Sequence, residues 1–110
     1  YQGLSGRTEL ADGRGMLFIY PKSDLRIFCM RDCEFPIDIA FLDRQQRVIS
    51  MHTMTVEEDR RGSIGYSSIG AAQYALEVPG GALGKAGVKL GDKAFFSKSV
   101  PNAAKAESGP

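Results

Sequence analysis

The sequence predicts a small all-β protein, an antiparallel β-sandwich or flattened barrel of about six or more strands with one or two short helical turns. Three observations predict it. Apolar and polar side chains alternate with a period of two through most of the chain. The alternating runs are short and are separated by Gly, Pro, Asp and Ser. The one stretch with helical character, "GGALGKAGVKLGD", is too rich in glycine for a long helix.

The elements follow in order. Residues 1–14, "YQGLSGRTELADGR", read as turn and loop with one helical turn at most. "GMLFIYP" has strand length and ends at Pro21, and "PKSD" supplies turn chemistry. "LRIFCMR" places Leu25, Ile27 and Cys29 on one side and Arg26, Phe28 and Met30 on the other, as a central strand forming a hairpin with the first run. Pro36 cannot donate to a ladder, so it sits in a connection or opens the next strand. "IDIAFLD" sets Ile37, Ile39 and Phe41 against Asp38, Ala40 and Leu42. "DRQQR" is a polar turn, and "VISMHTMTV" returns as a strand with Val48, Ser50, His52, Met54 and Val56 on one face. Residues 57–71 form a long loop that carries the charge run Glu57-Glu58-Asp59-Arg60-Arg61, read as solvated. "AQYALEVP" turns Tyr74, Leu76 and Val78 inward and Ala75 and Glu77 outward. One or two helical turns fall at 82–86 and stop at Gly87. "KAFFSKS" is the last strand, and 99–110 read as a flexible tail, which leaves a single domain over 1–98.

Composition narrows the function classes. The chain has 110 residues, 43% hydrophobic and 25% charged, which is ordinary globular usage. Fourteen basic and thirteen acidic residues give a formal charge of +1, without the dense basic face of a duplex-DNA binder, so no nucleic-acid partner is expected. No run approaches the roughly 18 apolar residues of a transmembrane helix. The chain begins at Tyr1 rather than Met. A removed leader and a longer parent protein both remain open at this stage.

The stretch "CMRDCEFPIDIAF" holds both cysteines. In an extended strand Cys29 and Cys33 stand about 13 Å apart, whereas a disulfide needs Cα atoms within roughly 7 Å. They bridge only if the chain turns at Met30-Arg31-Asp32; free thiols are the leading reading. A soft-metal site of copper type would combine Cys29 and Cys33 with His52, the only histidine, and a methionine. An acid–base enzyme would pair Asp38 with Asp32 or Glu34. Against that, a carboxylate inside an apolar strand is usually a structural acceptor of backbone N–H groups, with Arg26 or Arg31 as a partner. "GALGKAG" lacks the spacing of a phosphate loop, and no Gly-x-Ser-x-Gly elbow occurs. No catalytic residue, resident metal or cofactor is expected. The lead expectation is a non-enzymatic binding domain for a small ligand, glycan or protein. Its cleft is expected between "MRDC" and the 57–71 loop, lined by Arg31, Asp32, Asp38, Tyr66 and Tyr74.

Taken together, "YQGLSGRTEL", "GRGMLFIYP", "FCMRDCEFPIDIAFLD" and "AQYALEVPGGALGKAGVKLGD" resemble the domain-of-unknown-function family 192, in an order and spacing that cover residues 1 to about 96. In the central motif Cys29 stands where the family usually has Trp, Arg31 where it has Lys, Asp32 where it has Asn and Cys33 where it has Thr. The resemblance implies a compact jelly-roll-like all-β fold and frequent export to the periplasm or cell surface. It implies no assigned activity. The cysteine pair is not a shared feature, which weakens any mechanism built on the two thiols.

Overall fold

The structure, a computed structural model, describes residues 15–95. Six strands form two antiparallel sheets, with one short helix. They are β1 (Met16–Asp24), β2 (Ile27–Phe28), β3 (Ile37–Leu42), β4 (Val48–Met54), β5 (Tyr66–Ser67) and β6 (Ala72–Pro79), followed by α1 (Ala82–Lys85). The larger sheet has the order β1-β6-β3-β4, and the smaller is the β2-β5 ribbon. Neither closes into a barrel. Residues 1–14 and the expected tail lie outside the described residues, as does most of the expected last strand. Of that strand, an isolated bridge between Arg47 and Lys93 is seen.

Both faces of the larger sheet are covered, which is why its central strand is buried at every position from Ile37 to Leu42. On one face Phe18, Ile37, Ile39, Phe41, Met54 and Ala75 pack against Phe28 of the ribbon and against Met30 and Cys33. Three phenylalanines lock this layer: Phe28 meets Phe18 edge-on at 5.3 Å and Phe41 at 5.5 Å, geometry that adds to their area burial. On the other face Ala40, Leu42 and Val48 pack with Leu83 of α1, while Tyr74, Leu76, Val78 and Val88 close the margin.

The expected hairpin between 15–21 and 25–31 does not form. β1 runs straight through Pro21 to Asp24 and pairs with β6, with its register irregular between Ile19 and Asp24. Proline is tolerated there because β1 is an edge strand at an irregularity. The second run contributes only two strand residues, which pair with β5 inside the expected long loop. It is not the central strand expected, and only one of its two faces is buried. Phe28 and Met30 are fully buried, whereas Leu25 and Ile27 are 54% and 50% exposed. In β6, Ala72, Ala75 and Glu77 are the buried residues, and Tyr74, Leu76 and Val78, expected to face inward, are half-buried beneath the thinner α1 layer.

Phe28 therefore holds the ribbon to the sheet. Phe28→Ala is expected to destabilise the protein by about 3–5 kcal/mol, and Ile27→Thr by about 0.5 kcal/mol or less. Urea unfolding measures both, and similar losses for the two variants would refute this division of labour.

Candidate functional site

The exposed polar groups with the most organised backbone beneath them lie where the Met30–Cys33 turn meets the 57–64 loop. The turn closes with Cys33 N–H donating to the Met30 carbonyl at 3.2 Å. Asp32 then donates its N–H to the Arg60 carbonyl at 3.1 Å. Both residues occupy the left-handed region, with φ of 55° for Asp32 and 59° for Arg60. Non-glycine residues there are uncommon, and such strain persists only where surrounding contacts hold it. Arg31 Nε adds a 3.3 Å bond to the Arg61 carbonyl. Gly62 follows at φ +74°; a Cβ on it would fall 2.9 Å from Arg31 Cβ and 3.0 Å from Cys29 Sγ. Glycine is needed there for both dihedral and space.

Glu57 anchors the loop. Its Oε1 accepts from Gly62 N and Ser63 N, each at 2.9 Å, and its Oε2 accepts from Ile64 N at 3.2 Å. A carboxylate has lone pairs enough for all of these donors. The charge run read from sequence as solvated thus contains the loop's main internal acceptor. The side chains of Arg31, Asp32, Arg60 and Arg61 are exposed above this framework. Arg61 lies 3.9 Å from Asp59 in an exposed pair, which contributes little to stability. The tip therefore displays donors and acceptors of both signs.

Asp38 sits elsewhere. Its carboxylate is 3% exposed and points to the α1 side of the sheet. Oδ1 accepts from the Thr53 hydroxyl at 2.8 Å, and Oδ2 accepts from Gly81 N at 3.0 Å and Leu83 N at 3.2 Å. The α1 N-terminus has no side-chain cap of its own, Gly81 being the N-cap, so a carboxylate from β3 serves its orphan donors. This is the structural role weighed from sequence, with Thr53 in the place expected for an arginine. Arg26 instead stacks on the Tyr20 ring at 3.8 Å and donates to the Ala72 and Lys22 carbonyls.

The larger sheet separates the expected site residues. Arg31 and Asp32 lie on the ribbon side. Tyr66 packs on the same side, its hydroxyl accepting from Thr55 N at 3.4 Å and its ring 5.7 Å from that of His52. Asp38 and Tyr74 belong to the α1 side. Asp32 and Glu34 are exposed, whereas Asp38 is buried with both carboxylate oxygens engaged. Cys29 and Cys33 are not joined in a disulfide, the first lying half-buried against Gly62 and the second within the core. His52 Nε2 lies 2.6 Å from the Ser67 carbonyl, so it carries the proton and donates. Among the described residues no group of three or more His, Cys, Asp or Glu side chains could hold a metal ion. Beside Asp38, a groove of about 220 Å³ opens between β4 and α1, lined by Met51, Thr53, Leu83, Gly84 and Val88.

Sequence reasoning missed Arg60, Arg61 and Glu57 as members of the tip. Their signal was the mixed-charge run itself; what it could not carry was which backbone groups the acidic side chain would meet.

Fold and surface together define a small layered antiparallel β-domain whose exposed polar groups sit on a braced turn and loop. The chain belongs to the domain-of-unknown-function family 192 (DUF192, described as Uncharacterized ACR), whose profile matches residues 1–96. The fold is similar to the crystal structure of a protein of unknown function from Novosphingobium aromaticivorans, with a TM-score of 0.78 and 33% identity, covering 86% of this chain and 66% of that one. It is also similar to a protein from Sinorhizobium meliloti described as a candidate transcription regulator, with a TM-score of 0.75 and 26% identity, covering 84% of this chain and 69% of that one. The chain thus spans about two thirds of the length of these neighbours. No curated protein matches it. Among the described residues no helix is long and apolar enough to cross a membrane.

Two outcomes follow. Asp38→Ala leaves the Gly81 and Leu83 N–H groups without their acceptor and is expected to cost about 2–4 kcal/mol, read by chemical denaturation; a loss under about 0.5 kcal/mol would remove the capping role. Glu57→Ala is expected to speed amide hydrogen exchange at Gly62, Ser63 and Ile64 at least tenfold while core amides in β3 keep their protection. Unchanged exchange in the loop would show that another group braces it.

Proposed function

We propose that this is a non-enzymatic binding domain, and that the tip built by the Met30–Cys33 turn and the 57–64 loop is where it takes its ligand. The observation that carries this reading is the backbone bond between Asp32 and Arg60, two left-handed residues that hold four exposed charged side chains in one place. Strained backbone clusters where binding or catalysis has use for it, and the Glu57 bonds make the strain tenable.

The ligand class follows from the mixture of signs. Arg31, Arg60 and Arg61 stand among Asp32, Glu58 and Asp59, so no strong field of one sign develops. Such a surface recognises hydroxyl-rich or zwitterionic molecules by directed hydrogen bonds, the guanidinium fork giving bidentate contacts. A glycan fits best, and the export suggested by the resemblance to the family would bring the domain to envelope glycans. The neighbour described as a candidate transcription regulator suggests nucleic acid as the rival partner. The formal charge of +1 and the acidic neighbours of the loop arginines favour the uncharged ligand.

The full chain applied to an immobilised array of bacterial and synthetic glycans is expected to retain at least one class of them. Binding should weaken at least tenfold in the Arg31→Ala/Arg60→Ala double variant, with the unfolding midpoint unmoved. Retention of duplex DNA alone, or glycan binding indifferent to both arginines, would overturn the proposal.

A further inference from the structure

The larger sheet ends in two edge strands, β1 and β4, and the fold treats them differently. Unpaired strand edges are templates for pairing with another chain, and proteins blunt them with Pro, Lys, bulges and charge. β1 carries Pro21, Lys22 and Asp24 and an irregular register between Ile19 and Asp24. The β4 stretch 49–54, "ISMHTM", has no proline and no acidic or lysine side chain. Its one irregularity lies opposite Phe41 and Leu42, and pairing with β3 is regular from Ser50 to Met54.

The outer edge of β4 is already used for strand pairing at one end. Val48 N–H donates to the Asp92 carbonyl at 2.9 Å, Gly91 N–H donates to the Val48 carbonyl at 2.8 Å, and Ala94 N–H donates to the Gln46 carbonyl at 2.9 Å. The chain reaches this edge only at Gly91, because Val88 upstream is packed under the α1 layer. Among the described residues, no backbone bond continues this ladder from Ile49 to Met54. The groove between β4 and α1 lies alongside that open stretch, with Met51, Leu83 and Val88 as its apolar part and Asp38, His52 and Thr53 as its polar part.

We infer that the β4 edge accepts an extended peptide from a partner protein by strand addition. The ladder begun by residues 91–94 would continue along 49–54, and an aliphatic side chain of the peptide would fill the groove between Met51 and Leu83. Main-chain bonds supply affinity in this mode, and a pocket for alternate side chains supplies selectivity. The occupant is an uncharged, alternating segment: 49–54 carries no acidic or lysine side chain, and the one carboxylate at the groove, Asp38, is already engaged by Thr53, Gly81 and Leu83. This surface is separate from the tip and stands or falls independently of it.

Gly84 gives a clean test, since a Cβ there meets nothing within 4 Å and a larger side chain would project beside the groove. The isotopically labelled full chain is titrated with N-acetylated, C-amidated heptapeptides alternating Thr with Val, Leu or Phe, and amide shifts and exchange are mapped. At least one peptide is expected to shift and protect those amides of residues 49–54 that lie outside the β3 ladder. N-methylation of its ladder-facing nitrogens should abolish the effect. Gly84→Gln should weaken binding at least tenfold with the unfolding midpoint retained. Silence across the whole panel, shifts that map elsewhere, or binding unaffected by Gly84→Gln would overturn the inference. So would concentration-dependent dimerisation that shields the same amides without peptide, since the edge would then belong to a second copy.

Discussion

The Asp38 carboxylate is the constraint on which the arrangement of this domain turns. A buried carboxylate without hydrogen bonds is expensive, and here both oxygens are engaged, by Thr53 across the ladder and by two N–H groups at the start of α1. A helix of four residues has no means of forming alone. With its first donors held by β3, it stays over the sheet, where Leu83 covers Ala40 and Leu42. One side chain thus ties the central strand, the edge strand and the covering helix together. The same engagement removes Asp38 from the groups free to meet a ligand.

With α1 on one face and the phenylalanine-locked ribbon on the other, the larger sheet becomes the wall of the molecule rather than its surface. What faces solvent is then carried by connections, which is where binding groups usually gather. The turn at Asp32 and the 57–64 loop reinforce one another, each supplying a left-handed residue to the bond that joins them. The family carries no assigned activity, and among the described residues no three His, Cys, Asp or Glu side chains gather where they could hold a metal ion.

The parts legible in sequence were those set by local alternation. β3, β4 and β6 emerge within "IDIAFLD", "VISMHTMTV" and "AQYALEVP", β4 ending at Met54 rather than at Val56, and the helical turn falls at Ala82–Lys85 as the Gly-flanked segment suggests. The failures were all non-local. "PKSD" has the chemistry of a turn, yet β1 passes through it because β6 is its partner and an edge tolerates proline. The phase of "LRIFCMR" could not be read because Leu25 and Ile27 look as apolar as Phe28 and Met30; only the position of Phe18 and Phe41 decides which pair turns inward. Asp38 was legible as structural from its apolar surroundings, whereas its partners lie far along the chain. Glu57 and the loop arginines were hidden inside a charge run whose geometry no spacing reveals.

The two-residue ribbon carries a consequence for how the chain assembles. β3 and β4 are joined by a short turn and meet at little loop-closure cost, whereas Phe28 finds Tyr66 only after the whole of that hairpin and the following loop have been brought into place. The β1–β6 pairing, from Met16 with Glu77 to Asp24 with Ala72, spans more chain still, so by the same measure the ribbon closes after the β3–β4 hairpin and before that outer pair. Because the tip hangs between β2 and β5, its order is borrowed from these two residue pairs, and whatever loosens Phe28 loosens the tip with it.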